Sequence, residues 1–224
     1  MRNNKRSSGR EQLCRMVAGV TLLFMVFGMF SSCRKEDEEP TELTAMDYST
    51  IEDYSVYVSL AGYTDLEISL SSETDPKGER VWKTVLDRAE ILRYPEQQVN
   101  YYVEQTLATY RYYAEQNGWN LEETMERLGV SEESIHAQAK EMVKGDLVYR
   151  YIVADVGITL TQEEKVSLFD RYARQYAESY GYDVKYVTER LSDLVYDSML
   201  YDKTMEYLIL HNRFVVSSEG GTNG

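Results

Sequence analysis

Cysteine is nearly absent from this sequence, which has two cysteines among 224 residues. Cys14 lies in a basic and apolar first segment, and Cys33 comes directly after that segment. If the first segment is removed, the mature chain keeps no thiol beyond Cys33. This scarcity excludes a disulfide framework, a thiolate nucleophile, a CxxC redox pair and a cysteine metal site. The mature chain must therefore be stabilised by packing.

Histidine is equally scarce, and the motifs of common catalytic sites are missing. His136 and His211 are the two histidines. Glu133 and His136 form one Glu-x-x-His pair, which is half of a di-iron site in a helical bundle, and no second copy follows. We interpret His136 as a solvated residue. No glycine-rich phosphate loop, HExxH motif or serine with a nearby histidine occurs, and the paired acidic residues are typical of a solvated helix face. We expect no catalytic residue, no cofactor and no metal.

Basic residues are outnumbered, with 24 lysines and arginines against 38 aspartates and glutamates. Removal of residues 1–32 would take away five basic residues and one acidic residue, which leaves 19 against 37 and a formal charge of −18. Nucleic-acid affinity comes largely from lysine and arginine that displace counterions. We therefore expect neither nucleic acid nor the ribosome as a partner, and we expect anionic lipid headgroups to repel the body.

The first 32 residues have the pattern of an export signal. A basic start precedes an unbroken apolar run over residues 16–30 (MVAGVTLLFMVFGMF). A membrane-spanning helix needs roughly 20 apolar residues, so this shorter run is typical of the apolar region of a signal peptide. The following FSSC resembles the lipobox of bacterial lipoproteins, although Phe30 is larger than usual there. The resemblance implies cleavage before Cys33 and a lipid on Cys33. A lipid with two acyl chains would suffice for stable anchoring of the protein in the membrane. The alternative is an uncleaved N-terminal anchor, and both place the body outside the cytoplasm.

Composition divides the rest of the chain into four parts. Residues 33–53 are acidic and nearly free of large apolar groups, which predicts a solvated tether. Residues 54–78 contain alternating apolar residues and a TDPKG turn, which predicts a short extended segment. Regular helix starts and stops over residues 79–213 predict an all-α body. Residues 214–224 are predicted to be disordered.

Six helices are predicted within the body. The first covers residues 79–92, the second begins at Pro95 and ends at Gly118, and the third lies between Asn120 and Gly129. The fourth runs from Ser131 to Gly157, the fifth from the Thr161–Glu164 capping box to Gly181, and the sixth from Asp183 to residue 212. The apolar stripe predicted for the second helix consists of Val99, Val103, Leu107 and Tyr110, and that for the fourth of Ile135, Ala139, Val143 and Leu147. A sixth helix of this length would be roughly 45 Å long, which favours an open, extended arrangement.

The series of caps and breaks resembles the C-terminal domain of trigger factor, a fold shared with the helical part of SurA-like chaperones. The resemblance covers residues 80–212. It includes a helix that begins around Tyr94, Pro95 and Val99, and a turn of the G-I-x-[VL]-[TS]-x-x-E type that begins at Gly157 and ends at Glu164. It implies an all-α, multi-helix arm structure that binds client polypeptides.

Two domains of trigger factor have no counterpart here. No basic ribosome-docking loop is present, and no room remains for a prolyl isomerase domain. Residues 58–68 (VSLAGYTDLEI) resemble the strand that precedes the isomerase in secreted relatives. The resemblance therefore implies a membrane-tethered relative that lacks the ribosome-docking and prolyl isomerase domains.

Tyrosine is unusually abundant, with 20 residues. A tyrosine ring gives contact area at low entropic cost and keeps a wet hydroxyl, which suits the binding of unfolded chains; the alternative is that most tyrosines are half-buried residues at bundle edges. The residues predicted to bind clients are Tyr102, Tyr113, Tyr172, Tyr176 and Tyr180.

These observations favour an extracytoplasmic lipoprotein that holds unfolded or partly folded exported polypeptides without ATP. A structural or assembly adaptor that docks one folded partner is the alternative, and residual prolyl isomerase activity is a lesser one. A pull-down that gives one stoichiometric partner would favour the adaptor, whereas weak binding to many denatured proteins would favour the chaperone-like protein.

Overall fold

The computed structural model describes residues 44–216, and this part of the chain is mostly helical. The prediction of an all-α fold is confirmed. The signal, Cys33 and the end of the tail (residues 217–224) lie outside the described residues. Within residues 44–216 there are seven α-helices: α1 (Lys77–Asp87), α2 (Glu96–Asn117), α3 (Leu121–Leu128), α4 (Glu132–Val156), α5 (Gln162–Tyr180), α6 (Val184–Arg190) and α7 (Ser192–Leu210).

Four short strands accompany the helices: β1 (Val58–Leu60), β2 (Glu67–Leu70), β3 (Ala89–Ile91) and β4 (Arg213–Val216). Strand β1 pairs with β3, and β2 pairs in parallel with β4 in a register that sets Glu67 opposite Arg213 and Leu70 opposite Val216. The prediction that the tail is disordered from residue 214 is therefore wrong for residues 214–216. These residues are β-branched or aromatic, and pairing with β2 satisfies their backbone groups.

Most of the predicted helix signals are confirmed. Asn120 accepts a hydrogen bond from the Glu123 amide (2.8 Å), and Thr161 and Glu164 form the reciprocal capping box. Because the capping side chain satisfies an amide that has no partner within the helix, each cap fixes a helix start. Four glycines in the left-handed region follow α2, α3, α4 and α5, as the sequence predicts: Gly118, Gly129, Gly157 and Gly181.

Two predicted helices differ from the observed ones. The first ends at Asp87 rather than at residue 92, because residues 89–91 form β3 and the Leu92 amide donates to the Tyr57 carbonyl oxygen (2.8 Å). The sixth is interrupted at Leu191 (φ −121°, ψ 20°), so the single helix of roughly 45 Å is wrong. The bend buries both Val187 and Val195 in one apolar cluster, and this burial offsets the interruption.

The chain forms two compact units. Unit 1 contains residues 60–90 and 148–216 of the described chain, and unit 2 contains residues 44–59 and 91–147. In unit 1, helix α7 packs against α5 and α1, and α1 packs against β2. In unit 2, helix α2 packs against α3. The predicted stripe of α4 forms part of the core of unit 2, because Ile135, Ala139, Val143 and Leu147 are all buried.

The last ten residues of the predicted tether are part of unit 2. Tyr48 is only 6% exposed, and its hydroxyl donates to Asp146 (3.1 Å). The Met46 amide donates to the side-chain oxygen of Gln98 (2.8 Å). Most side chains of residues 44–53 are exposed, but the prediction of a solvated tether is wrong at Tyr48. Burial of the Tyr48 ring and these hydrogen bonds offset the entropy that ordering costs.

Candidate functional site

The C-terminal end of α5 and the short helix α6 carry four neighbouring tyrosines in unit 1. Tyr176 and Tyr180 are one turn apart on α5, Tyr182 follows the turn at Gly181, and Tyr186 lies in the first turn of α6. Gly181 has φ 69°, a left-handed conformation that glycine adopts at low cost, and it allows the chain to reverse between the helices. We call Tyr176, Tyr180, Tyr182 and Tyr186 the tyrosine patch.

The rings of the tyrosine patch contact one another in a continuous series. The ring centroids of Tyr176 and Tyr180 are 4.3 Å apart, and those of Tyr182 and Tyr186 are 5.5 Å apart. Tyr176 and Tyr182 are stacked with an interplanar angle of 8° at 6.5 Å. Aromatic pairs at such separations stabilise each other, so the patch presents one aromatic surface rather than four separate side chains.

A core of small residues supports this surface from below. Ala173, Ala177 and Val187 are almost completely buried, and Tyr176 and Tyr182 pack against them. Tyr176, Tyr180 and Tyr182 are half-buried, whereas Tyr186 is 40% exposed. Because the lower part of the patch is fixed by packing, its exposed ring edges can contact another chain with little further loss of entropy.

The hydroxyl groups of Tyr176 and Tyr182 remain protonated at physiological pH. Burial raises the pKa of Tyr176 and Tyr182, and the neighbouring tyrosines raise both further. The patch is therefore a neutral surface on a strongly acidic protein. Chemically, it can contact apolar side chains and proline rings, and its hydroxyls can form hydrogen bonds with a peptide backbone.

The structure brings two of the five predicted tyrosines, Tyr176 and Tyr180, together in the patch. Tyr172 lies one turn earlier on α5, where its hydroxyl donates to Asp202 of α7 (2.7 Å). Burial raises the pKa of Tyr172 and that of Asp202. Tyr172 therefore links two helices that support the patch, and its hydroxyl is already used in this link.

The other two predicted tyrosines belong to unit 2. Tyr113 is 51% exposed beside Tyr112, with ring centroids 6.2 Å apart. Tyr102 is only 3% exposed, and its hydroxyl donates to Asp146 (2.6 Å). The prediction that Tyr102 lines an open surface is wrong, because its ring is part of the core between α2 and α4.

Tyr182 and Tyr186 belong to the patch but are absent from the predicted set. Tyr182 directly follows the glycine that ends α5, and Tyr186 lies three residues after the capping residue Asp183. The sequence YGYDVKY shows three tyrosines around one predicted turn. That clustering was the available signal, but the prediction of one straight helix from residue 183 separated Tyr186 from α5.

Neither a metal site nor a membrane span is found in the described part of the chain. Within residues 44–216, no group of three or more His, Cys, Asp or Glu side chains is arranged to hold a metal ion. His136 is exposed, and His211 stacks on Tyr207 with ring centroids 4.0 Å apart. No helix in this part of the chain combines the length and the apolar character needed to cross a bilayer.

In comparisons with known proteins, no family model, no curated protein and no solved structure matches the chain. A mostly helical body with an exposed tyrosine patch is therefore the basis for a functional proposal.

Proposed function

We propose that this chain is a chaperone-like lipoprotein, which holds unfolded or partly folded exported polypeptides outside the cytoplasm while a lipid on Cys33 tethers it to a bacterial membrane. The tyrosine patch is the observation that carries the proposal. Its rings are fixed by packing, partly exposed and neutral, so they can bind many apolar segments weakly. This mode of binding needs no ATP, metal or covalent step.

The order of helix caps supports the same proposal. The breaks after α2, α3, α4 and α5 occur at the glycines on which the resemblance to the trigger factor C-terminal domain and to SurA-like chaperones depends. The acidic character of the chain adds electrostatic repulsion between copies, which favours solubility while an apolar client is bound.

The proposal is tested by the aggregation of thermally unfolded citrate synthase in the presence of the purified full chain. We expect the double variant Tyr182→Ser/Tyr186→Ser to need about ten times more protein for the same suppression, because each ring contact contributes roughly 0.5–1.5 kcal/mol. Both side chains lie outside the fully buried core, so the variant should stay folded, which thermal unfolding checks.

Two further variants control this experiment. Val166→Ser removes a side chain that is 72% exposed on the same helix, α5, and should leave suppression unchanged. Tyr112→Ser/Tyr113→Ser removes the exposed tyrosine pair of unit 2. If it weakens suppression as much as the patch variant does, clients bind exposed tyrosines in general. If neither double variant changes suppression, the proposal is wrong.

A further inference from the structure

Helix α3 in unit 2 packs against the rest of the unit with only one of its faces. Thr124 is 1% exposed, and α3 packs against α2. With about 100° between successive side chains, Leu121, Met125 and Leu128 form an apolar stripe next to Thr124. Leu121 and Met125 are only half-buried, and Leu128 is 54% exposed. The stripe therefore remains accessible along the whole length of α3.

Part of this stripe lines a groove of about 460 Å³ between α3 and the start of α4. Its apolar lining consists of Leu121, Met125 and Val130. The other lining residues are three glutamates, Glu122, Glu126 and Glu132. We call this site the α3 groove.

Among residues 44–216, none of the three glutamates of the α3 groove forms an ion pair. The neighbouring Arg127 forms its ion pair with Glu123 (2.9 Å) instead, and its guanidinium group lies over the Trp119 ring, 4.4 Å from the ring centroid. Glu122 and Glu126 are also four residues apart on one helix, a spacing at which like charges repel. A cation placed in the groove would relieve this repulsion.

The spacing of the apolar residues specifies the kind of partner. Leu121, Met125 and Leu128 follow one another by four and three residues, which is the spacing of the apolar seam in paired helices. Glutamates that border such a seam face lysine or arginine on the partner helix. An apolar stripe with acidic residues along its edge therefore complements an amphipathic helix with basic residues along its own edge.

We infer that the α3 groove docks a basic amphipathic helix of a partner protein, in addition to the clients proposed for the tyrosine patch. The partner helix lays its apolar side chains on Leu121 and Met125 in the groove and on Leu128 beside it. Its lysines or arginines reach Glu122, Glu126 and Glu132. The site is short, so the docking is weak and reversible. It does not depend on the client-holding function, because it uses residues of unit 2 alone.

The test uses the full chain, purified in detergent, and three fluorescently labelled peptides of equal length. The first is a designed helical peptide with a leucine seam edged by lysines, the second replaces the lysines with glutamates, and the third replaces the leucines with serines. Fluorescence anisotropy should show binding of the leucine–lysine peptide, and at least tenfold weaker binding of the other two. High salt should also weaken the binding of the leucine–lysine peptide.

Two groove variants and a matched control locate the binding site. We expect Glu122→Gln/Glu126→Gln/Glu132→Gln and, separately, Met125→Gln to weaken binding by about fivefold or more. The control variant Glu73→Gln/Glu115→Gln/Glu178→Gln removes three exposed glutamates outside the groove and should bind as the wild type does. Equal losses in the control and in the glutamate variant would mean that the overall acidic field attracts the peptide, and this result would overturn the inference.

The same variants separate this inference from the client-holding proposal. If the groove variants suppress citrate synthase aggregation normally but lose the leucine–lysine peptide, both ideas stand. If the wild-type chain suppresses aggregation but does not bind the peptide, the docking inference alone is wrong. If it binds the peptide but does not suppress aggregation, the client-holding proposal alone is wrong.

Discussion

At the scale of single residues, Asn212 stabilises unit 1 through three hydrogen bonds. Its side-chain nitrogen donates to the carbonyl oxygens of Tyr63 (2.9 Å) and Leu208 (2.7 Å), and its side-chain oxygen accepts from the Leu66 amide (2.8 Å). One side chain therefore joins the end of α7 to the segment that leads into β2. No other polar residue of similar size could satisfy all three groups in the same geometry without a shift of the backbone.

We expect Asn212→Ala to lower the free energy of unfolding by about 2 kcal/mol, because it leaves partly buried backbone groups without partners. Urea denaturation monitored by circular dichroism measures the change. Asn117→Ala is the matched control, since Asn117 is exposed and makes one hydrogen bond, to the Tyr113 carbonyl oxygen. It should lower the free energy by less than about 0.5 kcal/mol. Equal effects of the two substitutions would contradict the role of Asn212.

Residue burial could be predicted only in part from the sequence. Val99, Tyr102 and Val103 are spaced by three and four and are all buried. This spacing places Tyr102 on the core face of α2, but the amphipathic character of tyrosine favours a surface position equally well. The buried position is stabilised by Asp146, which lies 44 residues further along the chain. Its carboxylate accepts a hydrogen bond from the Tyr102 hydroxyl. Such a distant partner cannot be identified from one sequence.

At the scale of helices and strands, caps and glycines in the sequence predict most of the helix ends. Contacts between residues that are far apart in the chain are not predicted by such local signals. Caps and left-handed glycines act within one turn of the chain, so the ends of α2 to α5 follow from the sequence. The break at Leu191 has no proline or glycine to mark it, and it depends on the burial of Val187 and Val195 against α5. Strand β4 depends in the same way on β2. The tyrosine patch was therefore predicted along α5 but not across the turn at Gly181.

Helices α5 and α7 are joined by an ion pair at the start of α5. The Lys203 ammonium group donates to both carboxylate oxygens of Glu164 (2.7 and 2.8 Å) and to the Thr159 carbonyl oxygen (2.8 Å). The Lys203 hydrogen bonds, followed by the Thr161 amide, lower the pKa of Glu164 to about 2. A lowered pKa in the folded state means that the carboxylate stabilises the fold above its unfolded pKa, near 4.5. This stabilisation is lost as the pH falls from there through about 2.

We expect Glu164→Gln to be less stable than the wild type at pH 7, and we expect the difference to shrink as the pH falls from about 4.5 toward 2. Lys203→Met should show the same pH dependence, because it removes the partner that lowers the pKa. Urea unfolding at pH 7, 4 and 2.5 measures both. Glu163→Gln, in the same first turn, should change stability far less. A stability difference between Glu164→Gln and the wild type that is constant with pH would show that the ion pair does not lower the pKa of Glu164.

At the scale of the whole molecule, the lipid proposed on Cys33 would determine where the proposed function takes place. We expect the wild-type chain to incorporate a palmitate analogue in bacterial cells and to be cleaved to the mature size. We expect Cys33→Ser to abolish both, because the lipobox ends at that cysteine. Metabolic labelling and electrophoresis of the labelled chain measure these effects. Ser32→Thr keeps the cysteine and serves as the control. If the wild-type chain itself carried no label and kept the size of the precursor, the first segment would be an uncleaved anchor.

The parallel pairing of β2 with β4 joins Glu67 to Arg213, 146 positions later in the chain, through an ion pair and a shared register. A chain that leaves a ribosome or a translocation channel from its N-terminus exposes β2 long before β4 has emerged. Unit 1 therefore cannot complete its folding until β4 has emerged. Until then the unpaired edge of β2 is open to aggregation, and a truncation that removes β4 would leave it open permanently.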